Sequence, residues 1–185
     1  MDAWESSATR LELCRRYLRD YPDSALGWRA YGTGLSDIRL FDEAEQALKR
    51  ALELAPAKRR VFVLAHLGEM HQRRGDSASA ERYYRDAVAA DPDDAHGYIF
   101  LGSLMARDGR HDEAEATHRR GTKCLRGCID EAHLNLGYIL RAHRRYEEAI
   151  ASFAEALRID PHYKVAKLAL KDCKQAMRIA TSESL

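Results

Sequence analysis

Tyr98-Ile99-Phe100-Leu101-Gly102-Ser103-Leu104-Met105 sets large apolar side chains at Tyr98, Leu101 and Met105, with a glycine next to Leu101. These intervals are the i, i+3, i+7 of one helix face, and a glycine there leaves room for a neighbouring element to come close. The arrangement recurs on both sides. Trp28-x2-Tyr31-Gly32-x2-Leu35 and Leu64-x2-Leu67-Gly68-x2-His71 precede it, and His133-x2-Leu136-Gly137-x2-Leu140 follows. The four glycines stand 36, 34 and 35 residues apart. Twelve residues after each comes an alanine (Ala44, Ala80, Ala114, Ala149) and four further on a larger side chain (Leu48, Tyr84, His118, Phe153). Three beyond that sits a small residue (Ala51, Ala87, Gly121, Ala156), and Pro56, Pro92 and Pro161 close three of the units.

A period in this range marks stacked supersecondary units, each of which buries its apolar face only against its neighbours. Small residues at fixed positions let two antiparallel helices approach, and the larger ones fill the space between them. Gly75 and Gly109 break two units between their helices, with Asp76-Ser77 and Asp112 expected as N-caps of the second helices. Ser24 and Asp94 are expected to cap first helices. The pattern resembles the tetratricopeptide repeat, W-x2-L-G-x2-Y, then A-x3-F, then P, over nearly the whole chain. That resemblance implies an all-α fold, an α-solenoid in which antiparallel helix pairs wind into a right-handed superhelix.

The expected organisation is a single domain over 1–185. An N-terminal half-unit helix occupies 6–22, repeats occupy 25–58, 61–94, 95–128 and 130–163, and a capping helix occupies 164–180. The cap is expected to turn an apolar face inward and Lys and Asp outward, ending in the polar tail Thr181-Ser182-Glu183-Ser184. Two joints are expected to be slack, one at Ala57-Lys58-Arg59-Arg60 and one at Arg126-Gly127-Cys128, where the closing proline is missing.

The signature residues are packing residues, and function in such folds is carried elsewhere. The resemblance implies a concave groove lined by the first helix of each pair. Transferred position by position, it offers Arg29 in the first unit and Phe62, His66, Glu69 and Arg73 in the second. The third unit offers His96, Phe100, Ser103 and Arg107, and the fourth Asn135, Tyr138 and Arg141. Glu131 and Asp37 also fall on this face and oppose a strongly acidic ligand. Arg and aromatic side chains are the types that anchor interfaces. The carboxylate clamp of chaperone-binding relatives is not reproduced: Asn135 matches its middle element, but Ile99, Ser103, Val165 and Ala169 stand at the flanking positions. Arg39, Arg73, Arg107 and Arg141 recur every 34 residues near first-helix C-termini, where cations complement the helix dipole. Glu45 is expected to face solvent.

Composition narrows the class. The 185 residues are 45% hydrophobic and 32% charged, and 30 Lys+Arg against 29 Asp+Glu leave +1, which argues against a bulk electrostatic binder of nucleic acid or membrane. Met1-Asp2-Ala3-Trp4-Glu5-Ser6 has neither a basic region nor an apolar one, and no apolar run approaches the roughly 20 residues that span a bilayer. A cytoplasmic location with reduced thiols is expected. Cys124-x3-Cys128 is the one paired-thiol signal, short of the second ligand pair that structural zinc requires, with a redox pair left open. His71 and His118 replace aromatics at packing positions and are expected in the core. No phosphate loop, nucleophile elbow or H-E-x-x-H is present.

The expectation is therefore a non-enzymatic adaptor or scaffold without metal or cofactor, holding a peptide or helix of a partner protein in its groove. The alternative is a structural module that assembles into a homo-oligomer or a larger complex.

Overall fold

The computed structural model describes residues 3–182, with side chains from residue 8 onward; Met1-Asp2 and the tail residues Glu183 and Ser184 lie outside the described residues. The chain forms two compact units, Met1–Asp91 and Pro92–Leu185. The first holds α1 (Ala3–Asp20), α2 (Ala25–Asp37), α3 (Phe41–Leu54), a 3-10 turn (Ala57–Arg59), α4 (Arg60–Arg74) and α5 (Ser77–Ala90). The second holds α6 (Ala95–Arg107), α7 (His111–Gly121), α8 (Ile129–Ala142), α9 (Tyr146–Ile159) and α10 (Lys164–Ser182). In each unit the helices pack in chain order as antiparallel pairs: α2 with α3 and α4 with α5, then α6 with α7 and α8 with α9.

One contact explains the repeat. A Cβ placed on Gly32 would lie 2.7 Å from Leu48, on Gly68 2.3 Å from Tyr84, on Gly102 2.6 Å from His118, and on Gly137 2.5 Å from Phe153. Each glycine is the seat of the large residue sixteen positions later, so the two helices of a pair close to near backbone contact. The alanines Ala44, Ala80, Ala114 and Ala149, all 0% exposed, occupy the next turn of the same seam. His71 and His118 are buried, as their aromatic-replacing positions lead one to expect.

The caps follow local chemistry. Ser24, Asp76 and Asp94 accept backbone N–H bonds from Gly27, Ser79 and His96 at 3.1, 3.0 and 2.9 Å. Asp112 is not a cap. Arg110 precedes α7 without a side-chain cap bond, and Asp112 lies with Glu113 inside the first turn. There the carboxylates act through the helix dipole. α3 and α9 start the same way, after Leu40 and Arg145, with acidic pairs Asp42-Glu43 and Glu147-Glu148.

The joint after α7 is tied down, not slack. Leu125 and Arg126 donate their N–H groups to the Asp93 carbonyl at 3.0 and 3.1 Å, and Ala95 donates to the Arg126 carbonyl at 2.9 Å. The lengthened joint thus runs alongside the start of α6. Gly127, at φ +86°, lies so close to Asp94 and His96 that a Cβ would fall 2.6 Å from the Asp94 carboxylate. α10 buries Ala166, Ala169 and Cys173 against the α8–α9 pair, yet leaves Val165, Leu168 and Ile179 exposed beside its lysines. Its outer side is less polar than the sequence suggests.

Candidate functional site

In the first unit the first helices α2 and α4 lie side by side. At their N-terminal ends, the joint after α3 completes a cavity of about 560 Å³ whose walls include Leu26, Arg29, Pro56, Arg59, Phe62 and Val63. The two extra residues of this repeat make the joint: the chain leaves α3 extended through Ala55 and Pro56, then turns once in 3-10 geometry. Leu26 is exposed and Phe62 half-buried, so apolar surface is presented to the opening. Arg59 sits at the rim with no ion pair to another described residue. The sequence offered Arg29 and Phe62 as groove residues and did not single out Pro56 and Arg59, although the lengthened spacing was their signal.

The remaining polar groups of this face are engaged with one another. Arg29 Nη1 donates to His66 Nε2 at 2.9 Å, which leaves the proton of a neutral ring on Nδ1, 3.6 Å from Glu69 Oε2. Arg73 donates to Glu69 Oε1 at 2.8 Å and to Asp37 Oδ1 at 2.6 Å, and Arg10 of α1 donates to the other Asp37 oxygen at 2.5 Å. Contact with His66 and then Arg73 holds the Glu69 carboxyl below the ordinary carboxylate range, against the opposing effect of burial. The run Arg29–His66–Glu69–Arg73–Asp37–Arg10 joins α1, α2 and α4 through alternating partners. Neither Arg29 nor Arg73 stands ready with an empty guanidinium.

The second unit differs. On α6, Phe100 and Ser103 are half-buried and Arg107 is exposed; on α8, Asn135 and Arg141 are half-buried. Neither Arg107 nor Arg141 has an ion-pair partner among the described residues. Tyr138 is 39% exposed, its ring edge-on to Phe153 at 5.4 Å, so the residue seated on Gly137 also props the exposed aromatic. Burial, with Asp130 adding, raises the Glu131 carboxyl, against the pull of His96. His96 is half-buried at the start of α6. It lies against Asp94 and Cys128 at the tied joint. The four recurring arginines are not equivalent: Arg39 lies past α2 at φ +65°, stacked on Phe41 at 5.6 Å, while Arg73 belongs to the run of the first unit. Among the described residues no cluster of three or more His, Cys, Asp or Glu could hold a metal ion, and no helix is long and apolar enough to cross a membrane.

Helix pairs repeated every 34 to 36 residues and closed by a large side chain on a glycine define an all-α repeat protein of the solenoid class. Residues 67–122 and 130–163 match the tetratricopeptide repeat, and the chain belongs to that family. The protein O-mannosyl-transferase Tmtc1 of Drosophila melanogaster is 34% identical over 119 residues, 62% of this chain and 14% of that protein. The chain thus spans about a seventh of the length of this curated relative. Yeast Tom70 superposes on 91% of this chain and 36% of its own with a TM-score of 0.82 at 16% identity. YrrB, described as a tetratricopeptide protein with an unusual peptide-binding site, covers 91% of this chain and 86% of its own at a TM-score of 0.59 and 20% identity. At such identities the two structures show the fold alone.

Proposed function

We propose that the chain is a non-catalytic adaptor that holds a segment of a partner protein on the faces built by its first helices. The observation that carries this reading is the cavity of about 560 Å³ with Leu26 and Phe62 in its wall and Arg59 at its rim. An apolar pocket with a few convergent polar groups is the ordinary form of a recognition site. The occupant that fits is a partner segment with one apolar side chain next to a carboxylate: the first fills the pocket, the second meets Arg59. In the second unit, Phe100 and Tyr138 supply apolar contact and Arg107 and Arg141 supply cations for the same kind of ligand. The peptide-binding site named for YrrB is in keeping with this reading.

The test is direct binding of short fluorescent peptides carrying one Leu or Phe flanked by Asp, against the same peptides flanked by Lys. Acid-flanked peptides bind more tightly, and the difference shrinks as salt rises. Equal binding of both sets, or preference for the lysine set, contradicts the proposal.

Self-assembly is the second reading, favoured by Leu13 (61% exposed) and Tyr17 on α1, Tyr21 just after it, and Leu168 (63%) on α10. A monomer at all concentrations in analytical ultracentrifugation removes it.

A further inference from the structure

The tied joint of the second unit brings together three side chains that the adaptor reading leaves unused. Asp94 Oδ1 lies 2.6 Å from His96 Nδ1, and His96 Nε2 lies 3.3 Å from Cys128 Sγ. A carboxylate only accepts, so the proton of the neutral ring sits on Nδ1, and Nε2 faces the thiol as a bare acceptor. This is a nucleophile beside a base beside an orienting carboxylate, the arrangement that activates a side-chain nucleophile. The backbone is built to hold it. Asp94 also accepts the His96 N–H as the α6 cap, and the 125–127 segment is hydrogen-bonded to the start of α6. Gly127 at φ +86° leaves the space a side chain would take from the Asp94–His96 pair.

We propose that Cys128 is a base-assisted reactive thiol, a modification site for peroxides, with His96 as the base and Asp94 as its positioning residue. Cys128 Sγ attacks one peroxide oxygen, the S–O bond forms as the O–O bond breaks, and the sulfur is oxidised by two electrons. The thiol proton passes to His96 Nε2 and on to the departing hydroxide, so the products are a sulfenic acid and water. Burial pushes the Cys128 thiol up, and Glu131, Asp130 and Asp94 add to that effect. The sulfur therefore rests as S–H, and its reactivity depends on the neighbouring base. The groups facing the thiol are Asp94 and His96 from the start of α6, Asp130 and Glu131 from the first turn of α8, and Tyr163 ahead of α10. The carboxylates among them disfavour a free thiolate at rest.

The experiment treats the full chain with dilute hydrogen peroxide, traps sulfenic acid with dimedone, and reads each cysteine by mass spectrometry between pH 6 and 9. Cys128 is expected to react at least about tenfold faster than the half-buried Cys14 and the buried Cys173. Its rate is expected to rise with pH less steeply than the tenfold per unit of a simple thiolate. His96→Gln is expected to cut that rate about tenfold and restore the tenfold-per-unit rise of a simple thiolate, with Cys14 unchanged as the internal control. Asp94→Asn keeps an N-cap of equal quality and is expected to give an intermediate loss. Circular dichroism shows that each variant keeps its helices; if His96→Gln unfolds, Asp94→Asn alone decides. A Cys128 rate equal to that of Cys14, or a pH profile unchanged in the folded variants, overturns the proposal.

Discussion

His118 lies across Gly102 with Nδ1 buried and without a hydrogen-bond partner among the described residues. Tyr84 and Phe153 do the same work in neighbouring repeats, but His118 can do it only uncharged. Burial lowers its pKa from 6.5 to about 4. The unfolded chain therefore binds a proton near pH 6.5 that the folded chain refuses until about pH 4. The stability tied to this group is whole above pH 6.5 and declines as the pH falls to about 4. His118→Phe removes that loss, so its advantage over the parent should grow by about 2 kcal/mol between pH 7 and pH 5. Melting curves at the two pH values check this, and a gap that does not change with pH contradicts it. Gly102→Leu pushes into the same ring and should cost about 1–3 kcal/mol or more, read as a lower urea midpoint. Glu45 shows what sequence reading loses at this scale. It looks solvent-facing, yet it accepts from Lys49 at 2.7 Å and its side chain is only 22% exposed, beside His71. Helical spacing tells which face a residue is on, but not which partner reaches it.

At the scale of the element, the turns between paired helices carry a conformational cost that varies from repeat to repeat. The residue seven positions after each signature glycine takes a left-handed backbone: Gly75 at φ +90° and Gly109 at +77°, but Arg39 at +65° and Arg144 at +61°. Nothing lies within 4 Å of a Cβ at Gly75 or Gly109, so the requirement there is backbone alone. Arg144→Gly should stabilise by about 1 kcal/mol and Gly109→Ala should destabilise by a similar amount. Chemical denaturation of both variants tests the pair, and an effect of the same sign in both contradicts it. The helices themselves were legible in the sequence because one glycine, one alanine and one large residue recur at fixed offsets. The joints were not. Reading 57–60 and 126–128 as slack took length for looseness, whereas the first builds a cavity wall and the second is pinned by three backbone hydrogen bonds. His96 and Cys128 lie 32 residues apart, close to one repeat, and that near-coincidence at a lengthened joint was the signal available for their meeting.

For the whole molecule, the near-zero net charge means that recognition rests on local features, and these differ between the two units. The first offers an open apolar cavity while its inner arginines are mostly paired; the second offers exposed Tyr138, with Arg107 and Arg141 lacking an ion-pair partner among the described residues. α10 closes the second unit, and removing residues 163–185 uncovers the cluster around Leu136, Leu140 and Phe153. Such a truncated chain should aggregate, since a terminal repeat needs a covered end; a monomer as stable as the parent in light scattering and thermal melts contradicts that role. The sequence put the candidate residues on first helices, but which of them are engaged was not legible, because the pairing of Arg29 and Arg73 depends on Asp37, His66 and Glu69 arriving from other turns. The most direct measurement of the adaptor claim is stopped-flow binding of the tightest acid-flanked peptide to the parent chain and to Phe62→Ala, Arg59→Ala and Arg50→Ala. Phe62→Ala should speed dissociation about thirtyfold, on the order of 2 kcal/mol. Arg59→Ala should slow association and flatten its salt dependence, and Arg50→Ala, on α3 and paired with Asp23 and Glu53, should do neither. Binding that ignores Phe62 and Arg59 but collapses with Arg50→Ala would place the partner elsewhere and contradict the account.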